Sequence, residues 1–297
     1  MRSVDAASVE RLARTQGLPT LLAHLLALRG HGEPQAAAEH LAVNLASLHD
    51  PALLPGIEAA SQRLSRAVAD GETILVHGDY DVDGVCGTAL LTLLLRLIGA
   101  RVEPYIPSRL SDGYSFGPHS VVRAREREAS VVVSVDNGTS ARTTIAELAE
   151  LGIDTIVTDH HEPPQDPADL PGAVAIVNPK LPGSTYPFRE LCGCGVAFKL
   201  AWGLAQAISG ARKVRSDLRD FLTDAMAFVA LATVCDVVPL VGENRVLARA
   251  GLRALEASRR AGLRALIEAS GCAGQQLTSE TVAFKLGPRL NAAGWET

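Results

Sequence analysis

The chain has 297 residues, 47% of them hydrophobic and 21% charged, with a net charge of −5. This is enough apolar material for one large or two medium cores, and the acidic balance excludes a broad non-specific duplex-binding face, which would need an excess of positive charge. Five cysteines at unpatterned spacing (Cys86, Cys192, Cys194, Cys235, Cys272) form neither a disulfide framework nor the paired ligands of a structural zinc site, and read as buried thiols in a reducing cytoplasm.

The start, "MRSVDAASVERLARTQ", has no apolar core of the secretory kind. Residues 6–70 carry apolar spacing near 3.6 with Gly and Pro as punctuation, which predicts an N-terminal helical segment over 1–70. From residue 73 the pattern changes. Short β-branched runs, "TILVHG" (73–78), "RVEPYIP" (101–107), "SVVVSVD" (130–136), "DTIVTDH" (154–160) and "GAVAIVN" (172–178), alternate with helical patterns at 84–99, 117–129 and 140–151. Such alternation predicts an α/β fold with a mostly parallel, doubly wound sheet flanked by helices, whose ligands bind at the carboxyl ends of the strands. The run "VCGTALLTLLLRLIGA" (85–100) is too short to span a bilayer and contains Arg96, so it reads as a buried helix and gives no reason to expect a membrane. Residues 193–270 read as helical again, completing a catalytic domain over 71–270, and 271–297 read as the start of a connection to something further. Of 28 basic residues only four are lysines: Lys180, Lys199, Lys213 and Lys285. Arginine's fork suits phosphate, and a biased genome produces the same excess.

Three of the five predicted strands run into residues that bind metals. The first leads into "HGDYDVDG" (77–84), where His77, Asp79, Asp81 and Asp83 sit at alternate positions, so that an extended chain would point all four the same way. The third ends at Asp136 in "VDNG", and the fourth at Asp159, His160 and His161. Carboxylates this close repel one another unless a cation neutralises them or protons bind. Each motif alone has a plain alternative: an Asp-rich turn or calcium loop for the first, an ordinary strand-to-turn signal for the second. Together, at successive strand ends, they point to a metal centre of mixed oxygen and nitrogen ligands without thiolate. That donor set favours Mn²⁺ or Mg²⁺, with room for two ions acting on a phosphoryl group. His24, His31, His40, His49 and His119 lack carboxylate company and read as surface or satisfied histidines. No P-loop and no nucleophile elbow occurs, and aspartates fill the turn where a dinucleotide fold needs glycines. Arg109, in the loop after the second strand, is a candidate phosphate contact whose alternative is a surface ion pair; Lys199 and Arg289 are weaker candidates of the same kind.

The motifs "HGDYDVDG", "VDNG", "DHH", "CGCGVAFKL" (192–200), "ATVCDVVPL" (232–240) and "GPRLNAAG" (287–294) occur in the order found in the RecJ-type exonucleases of the DHH phosphoesterase superfamily, which the chain resembles along essentially its whole length. The resemblance implies a metal-dependent 5′-to-3′ exonuclease acting on single-stranded DNA in repair and recombination, cytoplasmic and monomeric, working with a single-strand-binding protein and a helicase. It also implies His77, Asp81 and Asp83 as metal ligands, Asp136 bridging two ions, His160 and Asp236 as further ligands, and His161 beside the scissile phosphate. Asp79 is a possible ligand by its spacing, though the superfamily pattern does not require it. Asp159 is expected to fix the tautomer of His160 and is counted with His161 and Asp136 among the catalytic residues. Full-length members of the family continue into a DHHA1 domain and an OB-type domain. The alternatives are a relative acting on short oligonucleotides or cyclic dinucleotides, and a non-catalytic scaffold, which would have lost metal ligands.

Overall fold

The computed structural model describes residues 4–108 and 116–293. By contacts the chain divides into two units, residues 1–48 and 49–297.

Among the described residues, the smaller unit holds three α-helices, α1 (Ala6–Gln16), α2 (Thr20–Leu28) and α3 (Pro34–Leu41), and a 3-10 turn (Leu45–Ser47). Asp5 caps α1 by accepting from the backbone N–H groups of Ala7 and Ser8, and Gly17 closes it in the left-handed conformation that glycine adopts without strain. Val9, Leu12, Ala23, Leu26 and Ala37 form a small core of their own.

The larger unit is built on a five-stranded sheet of β1 (Thr73–His77), β2 (Arg101–Tyr105), β3 (Val131–Val135), β4 (Asp154–Thr158) and β5 (Ala175–Val177) in the order β2-β1-β3-β4-β5. All four pairings are parallel. The parallel sheet expected from the sequence is therefore present, and every residue of β3 is buried, as a strand covered on both faces requires. Helices α6 (Pro118–Glu126) and α7 (Arg142–Glu150) cover one face, where Ala124, Ile145 and Leu148 pack on Leu75, Val132 and Val157. On the other side lie α4 (Ile57–Asp70), α5 (Val82–Leu97), α8 (Gly193–Ser209) and α9 (Ser216–Cys235), with α10 (Gly242–Glu256) against α9 and α11 (Ala261–Ala269) following. Helix α5 is the expected buried helix, and eleven of its sixteen residues are buried.

Helix α4 precedes residue 70 but belongs to this larger unit, packing on α8 and β5. Its Arg63, 5% exposed, pairs with Glu72 at 2.6 Å and with Asp154 at the start of β4. A short helix α12 (Ser279–Thr281), a π-helical turn (Val282–Leu286) and α13 (Gly287–Ala293) complete the described chain, with Asn291 accepting from the N–H of Val82 at the head of α5. Among the described residues, no helix is long and apolar enough to cross a membrane. The strand order reverses direction between β1 and β3, so the crevice for a ligand lies at the carboxyl ends of those strands.

Candidate metal centre

β1 stops at His77, and the chain turns at once: the Gly78 N–H bonds to Tyr105 O, and α5 starts at Val82. The extended alternation predicted for residues 77–83 is therefore replaced by a turn and a helix cap. Asp81 is the cap, its Oδ1 accepting from the N–H groups of Asp83 (2.9 Å) and Gly84 (3.0 Å). Gly84 is obligatory, since a Cβ there would meet the Asp79 backbone at 2.4 Å. Asp83 lies in the first turn of α5, 1% exposed, with its two oxygens accepting from the N–H groups of Gly193 (2.6 Å) and Cys194 (2.7 Å) at the start of α8. His77 does not join it. As the last residue of a strand, His77 shares the face of Leu75; its ring packs edge-on against Tyr105 and Phe116, and its Nε2 lies 2.9 Å from Ser120 Oγ. The structure does not bring His77, expected to be a metal ligand, into either of the two candidate metal groups among the described residues.

Those groups share His160. One is Asp136, His160 and His161; the other is Asp83, His160 and Asp236. Asp136 follows β3 with φ +64°, a left-handed backbone, and its N–H bonds to Thr158 O. Its Oδ1 lies 3.1 Å from His160 Nε2. Asp83 Oδ2 is 3.8 Å and Asp236 Oδ2 3.7 Å from the same nitrogen. Asp236 caps α9 at its carboxyl end, so this acid arrives by helix packing and not from a strand. Gly193 has to be glycine, because a Cβ there would lie 2.5 Å from Asp136 Oδ1.

The electrostatics fit a cation. Asp136 Oδ1 and Asp236 Oδ2 are buried and accept no hydrogen bond, a costly state for carboxylate oxygens that a metal ion would relieve. Burial, reinforced by the neighbouring Asp83 and Asp81 charges, pushes the Asp136 carboxyl well above its usual range. Burial and Asp236 raise Asp83 to about 7; burial and Asp81 raise Asp236 to about 6. His160 falls to about 4, mainly through burial, with the His161 charge adding to it, so its ring is neutral and has a lone pair to give. Three carboxylates round one neutral imidazole, with no thiolate among the ligands, is a donor set for Mn²⁺ or Mg²⁺.

Asp159 is a hub and not a ligand. Its Oδ1 accepts from the N–H groups of His160 (2.8 Å) and His161 (3.1 Å) and lies 2.7 Å from His161 Nδ1, while its Oδ2 accepts from Thr139 N–H (2.9 Å). Burial alone would raise its pKa; the bond from His161 and that ring's charge outweigh burial and hold it at about 2. In turn the bond to Asp159 raises His161. The side-chain partner of Asp159 is thus the ring of His161, whereas His160 meets it only through the backbone. Asp79 is pushed up by burial, accepts from Tyr80 N–H, and lines a cavity of about 380 Å³ with Asp136, Asn137, Asp159, His161 and Phe116.

Of the three basic candidates, Arg109 lies outside the described residues. Lys199 is corrected: it is 0% exposed, its Nζ bonded to Glu243 Oε1 (2.6 Å) and His49 O (2.7 Å), and no strand can reach it. Arg289 is exposed and donates to Lys285 O of its own helical segment. The sequence reading missed three contributors: the Gly193 and Cys194 N–H groups, whose signal was the glycine pair in "CGCG"; Asn178; and Lys180. Asn178, fully buried, donates to His161 O (2.9 Å) and Thr139 Oγ1 (3.1 Å) and accepts from Lys180 N–H (2.8 Å). An asparagine at the end of a predicted strand was the available signal.

Residues 73–232 match the profile of the DHH family, N-terminal domain. The chain belongs to the DHH family. It is 39% identical over 290 residues to the single-stranded-DNA-specific exonuclease RecJ of Bacillus subtilis (strain 168), a match covering 98% of this chain and 35% of that protein. It is 38% identical over 281 residues to the RecJ of Escherichia coli (strain K12), covering 93% and 48%. Among solved structures, the RecJ of Thermus thermophilus in complex with Mn²⁺ superposes with a TM-score of 0.78 at 32% identity, over 99% of this chain and 40% of that one. An exonuclease RecJ bound to manganese superposes at 0.71 and 37% identity, over 84% and 59%. This DHH chain therefore spans between about a third and a half of the length of the curated relatives it matches over 98% and 93% of its own. All the acids and histidines of the two DHH metal groups except Asp236 lie inside the matched span.

Proposed function

We propose that this chain forms the catalytic lobe of a metal-dependent phosphodiesterase that removes nucleotides from the 5′ end of single-stranded DNA. The observation that carries the reading is the convergence of Asp83, Asp136 and Asp236 on His160 Nε2, with oxygens of Asp136 and Asp236 left without donors. Names of the relatives and the manganese in their solved structures support the substrate and the ion. The residues fit two Mn²⁺ or Mg²⁺ ions. Asp83, His160 and Asp236 would hold one, Asp136 would bridge, and the second would lie toward Asp79, Asp81 and His161. Bound there, such ions lower the pKa of an attacking water and offset charge on the phosphate oxygens.

The chain's own residues set the rest. Asp159 fixes the His161 ring through Nδ1 and raises its pKa, so Nε2 is the atom offered to a phosphate oxygen or to the leaving group. Asn178 holds the His161 carbonyl and thereby the loop that carries both histidines. The backbone N–H groups of Gly193 and Cys194 keep Asp83 facing inward before any ion arrives. Arg109 remains a proposed phosphate contact. A single-strand-binding protein and a helicase are the proposed partners, and a cytoplasmic monomer the proposed working form.

The test is hydrolysis of 5′-labelled and 3′-labelled single strands and of a matching duplex, in Mn²⁺ and in EDTA. Release of labelled mononucleotide from the 5′-labelled single strand, dependent on Mn²⁺, is expected. Equal attack on duplex, or activity that survives EDTA, would overturn the reading.

A further inference from the structure

We infer that Lys180 is a contact for the substrate's phosphate, held ready beside the metal centre by Glu162. The inference rests on the phosphodiesterase reading above and adds to it a cation that neither the sequence motifs nor the comparisons single out.

A site of gathered carboxylates repels a polyanion, so a strand that approaches it needs fixed positive charge nearby. Of the basic residues the sequence suggested, Arg109 lies outside the described residues, Lys199 is sealed in the core and Arg289 is engaged with its own helical segment. Lys180 follows β5, the strand beside β4, at the same carboxyl edge of the sheet as the histidines. Its backbone is tied to the histidine loop through one side chain: Asn178 Oδ1 accepts from Lys180 N–H at 2.8 Å while Asn178 Nδ2 donates to His161 O at 2.9 Å. Arg189 anchors the same turn by donating to Lys180 O at 3.0 Å. The side chain is 18% exposed, and its Nζ lies 3.1 Å from Glu162 Oε1, the residue next to His161.

Glu162 adjoins His161 in the chain, so the ammonium is held on the loop that carries both histidines. Glu162 is 77% exposed, so its pairing with Lys180 is a weak surface ion pair that a phosphate dianion or diester can displace. A phosphate oxygen is a better partner than a solvated carboxylate here, because it arrives with the strand and stays fixed by the same site. The structural alternative is that Lys180 only braces the histidine loop through Glu162. The two differ in what a neutral isostere does to salt dependence.

The experiment compares Lys180→Gln, Lys180→Arg and Glu162→Gln with the unaltered chain in Mn²⁺-dependent hydrolysis of a 5′-labelled single strand over a salt series. Mn²⁺ stoichiometry by calorimetry and melting temperature are measured beside it. Lys180→Gln is expected to lower kcat/KM about 10- to 100-fold, the loss of one charge-assisted bond. It should also make the slope of log kcat/KM against log salt shallower by about 1, with Mn²⁺ binding and melting temperature unchanged. Lys180→Arg should recover most of the rate. Glu162→Gln should raise kcat/KM by about twofold, since it removes a competitor for the ammonium. Unchanged rate and salt slope in Lys180→Gln would overturn the inference. So would a rate loss in that variant with an unchanged slope, or one that comes with lost Mn²⁺ binding or a lowered melting temperature, because each marks a bracing role. A Glu162→Gln loss equal to that of Lys180→Gln would do the same. If the unaltered chain hydrolyses no strand in Mn²⁺, the phosphodiesterase reading itself fails, a result separate from all of these.

Discussion

Replacing Lys199 by Met separates a core role from a substrate role by a wide margin. Lys199 and Glu243 are both buried, 0% and 3% exposed, and form a 2.6 Å ion pair. Glu243 Oε1 also accepts from His49 N–H (2.8 Å), and its Oε2 accepts from Tyr186 O–H (2.6 Å). Removing the ammonium leaves Glu243 two neutral donors and no countercharge, and strips His49 O of its donor. Breaking one side of such a buried pair costs about 3–5 kcal/mol. At roughly 2–4 °C per kcal/mol for a unit of this size, the melting temperature should fall by about 6–20 °C. Adding Glu243→Gln, which removes the charge, keeps one oxygen to accept from His49 N–H and offers an amide N–H₂ that can donate to the Tyr186 hydroxyl, should restore more than half of the loss in a double-mutant cycle. The assay is thermal and urea unfolding of the four proteins, with nuclease rate per folded molecule measured well below the transition and expected to stay within about twofold of the unaltered chain. An unchanged melting temperature together with a weakened affinity for single strands would refute the reasoning and return Lys199 to the substrate.

Asp136→Asn should abolish hydrolysis, because the proposed bridge is lost, and in EDTA it should raise the melting temperature, since the cost of burying that carboxyl beside Asp83 is removed; a fully active variant with normal Mn²⁺ stoichiometry would sink the two-ion site. For the unaltered protein in EDTA, Asp83 at about 7 and Asp236 at about 6 both lie above the unfolded value near 4, so the folded state holds more protons. Their contribution is intact below pH 4 and is lost as pH rises through 6 to 7; saturating Mn²⁺ should cancel that decline, which unfolding midpoints between pH 5 and 8 would reveal. His161→Ala should keep Mn²⁺ bound and lose about 10²- to 10⁴-fold in kcat, whereas lost Mn²⁺ in calorimetry would make it a ligand. Val237, 85% exposed with φ +59°, holds a β-branched side chain in a backbone region that suits glycine, so Val237→Gly should stabilise by about 0.5–1 kcal/mol and raise the melting temperature.

What the sequence disclosed and what it hid divide along one line, the range of the interactions involved. The strands were legible because β-branched runs sit between stretches of helical period, and "SVVVSVD" became Val131–Val135 almost unchanged. Burial was not legible locally. The pentapeptide VAFKL occurs twice, at 196–200 and 282–286. In the first copy, inside α8, Phe198 is 2% and Lys199 0% exposed; in the second, a π-helical turn, Phe284 is 77% exposed and Lys285 is on the surface. Five identical residues carry no information on this difference. It comes from Glu243 and Tyr186, outside α8, which give the first lysine a place in the core. A lysine proposed as a phosphate contact from such a stretch was bound to be decided by tertiary packing, and Lys180, with no motif around it, could only be found there.

The carboxylates show the same limit from the other side. Asp81, Asp83 and Asp136 were readable because strand ends carry them, and Asp236 only through the family resemblance, but the reason given for convergence at residues 77–83, side chains alternating along an extended strand, does not hold past His77. What gathers them is backbone geometry that alternation cannot express: a cap at Asp81, left-handed backbone at Asp136, and N–H groups of α8 turned on Asp83. This also ranks the acids. Both oxygens of Asp83 already accept hydrogen bonds, so an ion must share them, and burial still keeps its carboxyl at about 7. Asp136 and Asp236 each keep a buried oxygen with no donor at all, 3.1 Å and 3.7 Å from His160 Nε2. A cation entering this site therefore gains most from those two, one delivered by the end of a strand and the other by the end of a helix, and the fold's task is to bring those two ends together.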